Sequence, residues 1–462
     1  MKNIIKRYAI VFLCTIVCTD VMYAQSTQSG YFNDGYLFRY EMNPAFANES
    51  GFVGMPGISN MNVAMRGNVG VETFLYNVDG RTTTFLNPKV SASEFLDKVK
   101  DNNRINEELK LNILNVGFKG LGGYNIVGIN IRERVSTRIP GSIFRLAKEG
   151  PKNSFYDITD FDAQGIGYGE IALGHSHQIS DKVRVGATLK VLLGYGQVDA
   201  KFNKAQLQLD NDAYTAITNA EVNSSIKGFQ YKTETTERGP EGHKTPHTYV
   251  NDVDLDNTGL NGWGTAIDLG VEWKINEDWR LSAALLDLGF ISWKENHVAS
   301  TNGDRMFETD KYIFNFDDES EHSFEREGDR LLEGLATLYE LQDNGDTGSR
   351  TTMLGATLNV GGEFILPSYK NLSFGLLSTT RINGVYSWNE ERLSANWKTK
   401  HFAATADIAA GSYGMSFGWL LNFHTKGFSA FLGMDHTLGD LAKQGLPVSG
   451  KGHVNFGINF PL

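Results

Sequence analysis

The sequence predicts an all-β chain, a transmembrane antiparallel β-barrel of about fourteen strands (twelve to sixteen fit the pattern) with short helices in its loops. Three observations lead there. Long segments alternate strictly between apolar and small polar residues. Tight turns alternate with long polar stretches. The chain also opens on an export signal and has no cysteine after it.

The alternation is clearest at the end of the chain. Val454, Phe456, Ile458, Phe460 and Leu462 share one face of an extended strand, and Asn455, Gly457 and Asn459 share the other. Strand side chains alternate with period two, so one face suits lipid and the other a polar lumen. The same pattern runs through Val183 to Tyr195, with Arg184, Gly186, Thr188, Lys190 and Gly194 on the polar face, and from Trp263 to Trp273. Those two tryptophans share the apolar face. At about 3.3 Å per residue and a tilt near 40°, they stand roughly 25 Å apart along the membrane normal, the height of a lipid-facing band. Together with Trp279 and Trp293 they are the expected aromatic girdle.

Short turns are expected at 180–181, 276–278, 368–371 and 425–426, and long polar stretches at 197–260 and 294–350, with part of 198–235 as strand extensions above the membrane. Periplasmic turns and extracellular loops have this asymmetry. Counting back from the last strand, centres fall near 456, 431, 418, 405, 395, 378, 358, 286, 269, 189, 172, 130, 115 and 63. One strand changes phase: Trp279, Leu281, Ala283 and Leu285 share a face, then Leu286, Leu288 and Phe290 take the other parity. A bulge near Asp287 accounts for this.

Composition agrees. Gly 50 against Pro 10 and 11% aromatics suit twisted strands, and a mean hydropathy of -0.29 is compatible with a barrel, whose hydropathy averages out. A net charge of -11 without a Lys/Arg-rich run excludes nucleic acid as a partner, and outer-membrane lipid is the expected surroundings. Residues 1–24 read as a signal peptide: Lys2, Lys6 and Arg7, an apolar run from Tyr8 to Val17, and cleavage between Ala24 and Gln25. Cys14 and Cys18 both lie in it, so the exported chain has no disulfide, thiol nucleophile or cysteinyl metal site.

Residues 25–57 are rich in Gly, Asn and aromatics without a period, and Pro44 and Pro56 forbid ladder pairing, so a compact irregular segment is expected before the barrel at 58–462. Ser91 to Glu94 forms a capping box opening a helix through about Lys100. Further short helices are expected at Ser142–Lys148 and Asp329–Leu341, and a strand at Leu111–Lys119 returns through a turn at Gly120–Gly123.

The residues Tyr31 to Ala47 with Asn43-Pro44-Ala45, Gly165 to Glu170, Asp181 to Gly196 and Tyr413 to Gly427 resemble the FadL/PorV-like outer-membrane barrels. They are closer still to a Bacteroidota family in that group described as a domain of unknown function. The resemblance covers nearly all of the chain after the signal. It implies that 25–57 folds into the lumen as a hatch. FadL-type barrels pass hydrophobic compounds, whereas PorV-type relatives hold secreted proteins at the surface. The implied partner is therefore a hydrophobic small-molecule cargo or a surface or secreted protein bound through the long loops.

The site candidates are the residues of the hatch and lumen. Asn43 and Pro44 mark the hatch, and Arg66, Arg132, Arg134, Asp268, Glu272, Glu363 and Arg381 share parity with the small polar faces. They would line a solute path or hold the hatch by ion pairs, or simply fill the lumen as a charge-balanced network. No enzyme, cofactor or metal site is expected. His175 and His177 have i, i+2 metal spacing but no third ligand, and His243 and His247 fall in a polar stretch. Gly174 to Gln178 lacks the closing glycine and the helix of a nucleophile elbow.

Overall fold

The computed structural model describes residues 27–462 apart from 151, 210–212, 239–243, 313–323 and 437–450. The expected signal peptide at 1–24 and His243 lie outside the described residues. Apolar residues at every second position build fourteen antiparallel wall strands. The first seven are β1 (Met61–Gly67), β2 (Asn102–Gly120), β3 (Gly123–Pro140), β4 (Asp162–Gln178), β5 (Val183–Leu209), β6 (Gly262–Lys274) and β7 (Trp279–Trp293). The second seven are β8 (Ala356–Ile365), β9 (Leu372–Ile382), β10 (Trp388–Lys398), β11 (Phe402–Gly411), β12 (Gly414–Thr425), β13 (Phe428–Met434) and β14 (Lys451–Pro461). Each contains one of the expected centres. β14 pairs back onto β1, with Met61 opposite Phe456 and Val63 opposite Val454, and this closes the ring. Closure lets the wall backbone hydrogen-bond within the ring, as lipid surroundings require.

The two faces separate as the alternation demands. Along β5, Leu189, Val191 and Tyr195 are exposed outside while Thr188, Lys190 and Leu192 are buried inside. Asp287 adopts φ 58°, and the β6–β7 register shifts there. Trp279 and Leu281 point outward before this bulge and Leu288 after it. Trp293 is consequently a correction to the expected girdle. After the bulge odd positions face inward, so its indole is fully buried and donates from Nε1 to Thr352 Oγ1 at 2.8 Å. Trp263, Trp273 and Trp279 are exposed on the outer face.

Other boundaries differ from expectation where charge hides the alternation. β2 begins at Asn102 rather than Leu111, because Glu107, Glu108 and Lys110 put charges on both faces. β5 runs past Gln197 to Leu209, an extension of the kind expected within 198–235, and pairs there with the strand Tyr214–Ile226. That strand in turn pairs with His297–Ser300 and Arg305–Glu308. The connection at 197–260 is thus largely sheet. The expected helices form as α1 (Ala92–Leu96), capped by Ser91 Oγ accepting from the Glu94 N–H at 3.1 Å, α2 (Gly141–Glu149), and α3 (Phe324–Thr337), displaced toward the N-terminus from the expected Asp329–Leu341; one further turn of helix, Val71–Phe74, lies outside the expected ones.

Residues 27–46 lie largely buried inside the ring, and the rest of 27–57 leads from them into the wall. The whole segment contains two single-turn 3₁₀ segments, Gln28–Gly30 and Arg39–Glu41, and a short strand, Phe52–Gly54. That strand enters the wall between β14 and β2, with Val53 opposite both Phe460 and Val116.

Candidate functional site: the occupied lumen

The segment brings its own core into a mostly polar lumen. Tyr31, Phe32, Tyr36, Phe38, Tyr40, Phe46 and Phe52 are buried together against Tyr124, Ile126, Leu377, Leu420 and Phe431 of the wall. Burying one such ring is worth roughly 1.5–3 kcal/mol, so the cluster anchors the segment without any covalent link. The phenol tips use the small polar side chains that alternate along the strands. Tyr31 Oη lies 3.0 Å from Ser282 Oγ, Tyr36 Oη donates to Asn455 Oδ1 at 3.0 Å, and Tyr40 Oη donates to Asn115 Oδ1 at 2.9 Å.

Asn43-Pro44-Ala45 sits in a notch made by two glycines. Gly186 of β5 and Gly270 of β6 are direct cross-strand partners. A β-carbon at Gly186 would fall on the Pro44 carbonyl, and one at Gly270 on the Asn43 amide oxygen. Asn43 accepts the Ala45 N–H through Oδ1 at 2.9 Å, which folds the turn. Its Nδ2 donates to the carbonyls of Val271 (3.2 Å) and Ala283 (3.4 Å), and Ser176 Oγ donates to the Ala45 carbonyl at 3.3 Å. Gly361 and Gly375 clear the same kind of space for the rings of Tyr31 and Phe32.

Farther from the tight turns, five cations meet five carboxylates. Arg132 pairs with Asp287 (2.7 Å) and Glu170 (3.1 Å), and Lys190 with Asp268 (2.6 Å) and Asp287 (2.7 Å). Arg134 pairs with Glu108 at 3.0 Å, and Lys110 with Glu41 at 2.9 Å. Arg381 lies 3.6 Å from Asp287 and, like Arg134, donates to the Leu354 carbonyl. Unpaired charges so deeply buried would be strongly destabilising, and the even count avoids that. A polar cavity of about 50 Å³ opens among Glu41, Lys110, Arg132, Glu170, Lys190 and Asp268. It has room for a water or two.

The remaining expected residues lie elsewhere. Arg66 stacks over Trp388 (5.0 Å) and lies 3.9 Å from Asp435, whose carboxylate accepts the backbone N–H groups of Gln28 and Ser29, both at 2.9 Å. Glu363 accepts from Ser373 Oγ at 2.7 Å and stands 3.6 Å from Arg280, which also reaches Asp34 of the segment. Glu272 lines an open cleft at the tight-turn mouth beside Arg184 and Arg280. His175 and His177 stack on each other near that end. Among the described residues no group of three His, Asp or Glu is arranged to hold a metal.

A model described as a family of unknown function, DUF5723, matches residues 44–435. The chain belongs to this family. No curated protein sequence matches it. Among solved structures, the DUF5723 chain is similar to the toluene transporter TbuX of Ralstonia pickettii, at 8% identity and TM-score 0.40 over 92% of each chain. The toluene transporter TodX of P. putida gives 8% and 0.40 over 95% of each. A FadL homologue of Pseudomonas aeruginosa gives 11% and 0.35 over 96% of this chain and 98% of its own. At that distance no residue or cargo carries over.

Sequence reasoning missed six of the ten residues in the charged belt of this DUF5723 barrel. Lys110 and Glu108 precede the expected start of β2, and Lys190, Glu170 and Asp287 were visible only as an inward parity, a motif residue and a bulge. Glu41 carries no periodic signal at all. Parity counted from the true start of β2 would have found Glu108 and Lys110. The glycine notch was legible as two inward glycines, but its occupant was not.

Proposed function

We propose that this protein is an outer-membrane channel, exported through residues 1–24, whose lumen is closed by an N-terminal plug, residues 25–57, and which passes hydrophobic or small solutes when the plug moves. The observation that supports this reading is the way the segment is seated. Rings over glycines, hydrogen bonds and the Glu41–Lys110 pair hold it without a covalent link, the short strand Phe52–Gly54 hinges it to the wall, and Pro44 rests in the Gly186–Gly270 notch. Such a segment can leave and return. Its departure would uncover Ile126, Leu377, Leu420 and Phe431, an apolar stretch of wall suited to apolar solutes. The outward band of exposed apolar residues suits lipid. In this reading the long connections at 197–260 and 294–350 face the cell exterior.

Liposome swelling tests the proposal. Deleting 25–57 is expected to raise solute permeation well above that of the full chain. An Ala45→Cys/Ser176→Cys pair, in a chain with no cysteine beyond Cys18, should hold permeation at the closed level when oxidised and release it on reduction. Permeation unchanged by the deletion would sink the reading.

A further inference from the structure

We propose that Glu41 occupies, in the closed lumen, a wall site for the carboxylate of a transported solute; this inference rests on the plug reading. Of the five belt carboxylates, four belong to wall strands, and Glu41 alone belongs to the segment that moves. Its two oxygens are held by three groups of the wall and its entry: Lys110 Nζ at 2.9 Å, Asn112 Nδ2 at 2.7 Å and Asn60 Nδ2 at 3.1 Å. Together they form a receptor for one carboxylate, with a charged donor and two amides converging from β2 and the residue before β1. Both partners are buried, Glu41 at 3% and Lys110 at 7% side-chain exposure.

When the segment leaves, Lys110 loses its counter-charge, and the wall retains five cations against four carboxylates. A buried ammonium is unstable unpaired, so the vacated receptor recruits an anion from the lumen. The carboxylate geometry is already set by Glu41, and the volume the segment vacates, continuous with the small polar cavity beside the pair, gives the newcomer room. Plug and solute therefore compete for one site. By linkage, a carboxylate solute favours the open state as strongly as the plug weakens its binding.

Uptake of glutarate and of choline by proteoliposomes carrying the full chain tests this. Glu41→Gln is expected to raise the glutarate-to-choline uptake ratio about tenfold or more, since Lys110 is left with a neutral partner. The double variant Glu41→Gln/Lys110→Gln should return the ratio to the wild-type value. A ratio unmoved by Glu41→Gln in a barrel that retains heat-modifiable mobility would overturn the site. Should that variant fail to fold, the deletion of 25–57 with and without Lys110→Gln decides. A glutarate preference lost with Lys110 supports the site. A deletion that opens the channel with no dependence on Lys110 overturns the site and leaves the plug standing. A deletion that raises uptake of neither solute removes the plug reading and this inference with it.

Discussion

Near the tight turns the lumen is filled by residues 27–57, and deeper in it is filled by the wall's own side chains. The first filling touches the wall mainly through rings, glycine notches and hydrogen bonds, and joins it through the short strand Phe52–Gly54. The second is a belt of ion pairs in which Asp287 alone serves Arg132, Lys190 and Arg381. An apolar contact of this kind is lost gradually and regained easily, whereas a buried ion pair is intact or costly. On the plug reading proposed above, the contrast separates a part that would move from a part that holds the barrel's shape. Glu41 is the one belt carboxylate that belongs to residues 27–57.

The contrast is broken most forcefully at Asp287. Asp287→Asn keeps the shape and removes the charge, so three buried cations lose their common partner. A loss of about 3–5 kcal/mol in barrel stability is expected, read from urea titration of the detergent-folded protein. A variant as stable as wild type would mean that the belt is not what holds the wall. Gly270→Val should act on the other region. The new side chain overlaps Asn43 and Pro44, at a cost of about 1–3 kcal/mol. Amide exchange should accelerate across 40–48 while the strands around the belt keep their protection; equal acceleration in both would make them one cooperative unit. The smallest effect is expected for Tyr31→Phe, which removes the contact to Ser282 at about 1 kcal/mol. It should loosen the segment in the same exchange experiment without shifting the urea midpoint of the barrel.

Much of the wall was legible beforehand. Lipid on one side and a polar lumen on the other force alternation, and alternation can be counted, which is why all fourteen strand centres fall inside strands. The failures mark where that force stops. Above the lipid band β2 and β5 carry polar residues on both faces, so the start of β2 at Asn102 left no trace in the pattern, and the extension of β5 within 198–235 was legible without its end at Leu209. Trp293 faces inward because the bulge at Asp287 reverses parity, and a tryptophan near a strand end carries no mark of that reversal. In the belt, Arg132, Arg134, Asp268 and Arg381 were visible by parity. Their partners were not, since Arg132 and Asp287 stand 155 residues apart.

The sequence by itself determined the ring, its outer and inner faces, the bulge at Asp287 and an irregular segment marked by Asn43-Pro44-Ala45, because each follows from local geometry and the solvent on either side. Only the tertiary structure decided which inward charges meet, that Gly186 and Gly270 lie side by side beneath Pro44, and that Glu41 lends its carboxylate to Lys110. Those contacts join residues far apart in the chain, and only closing the ring around residues 27–57 brings them within reach.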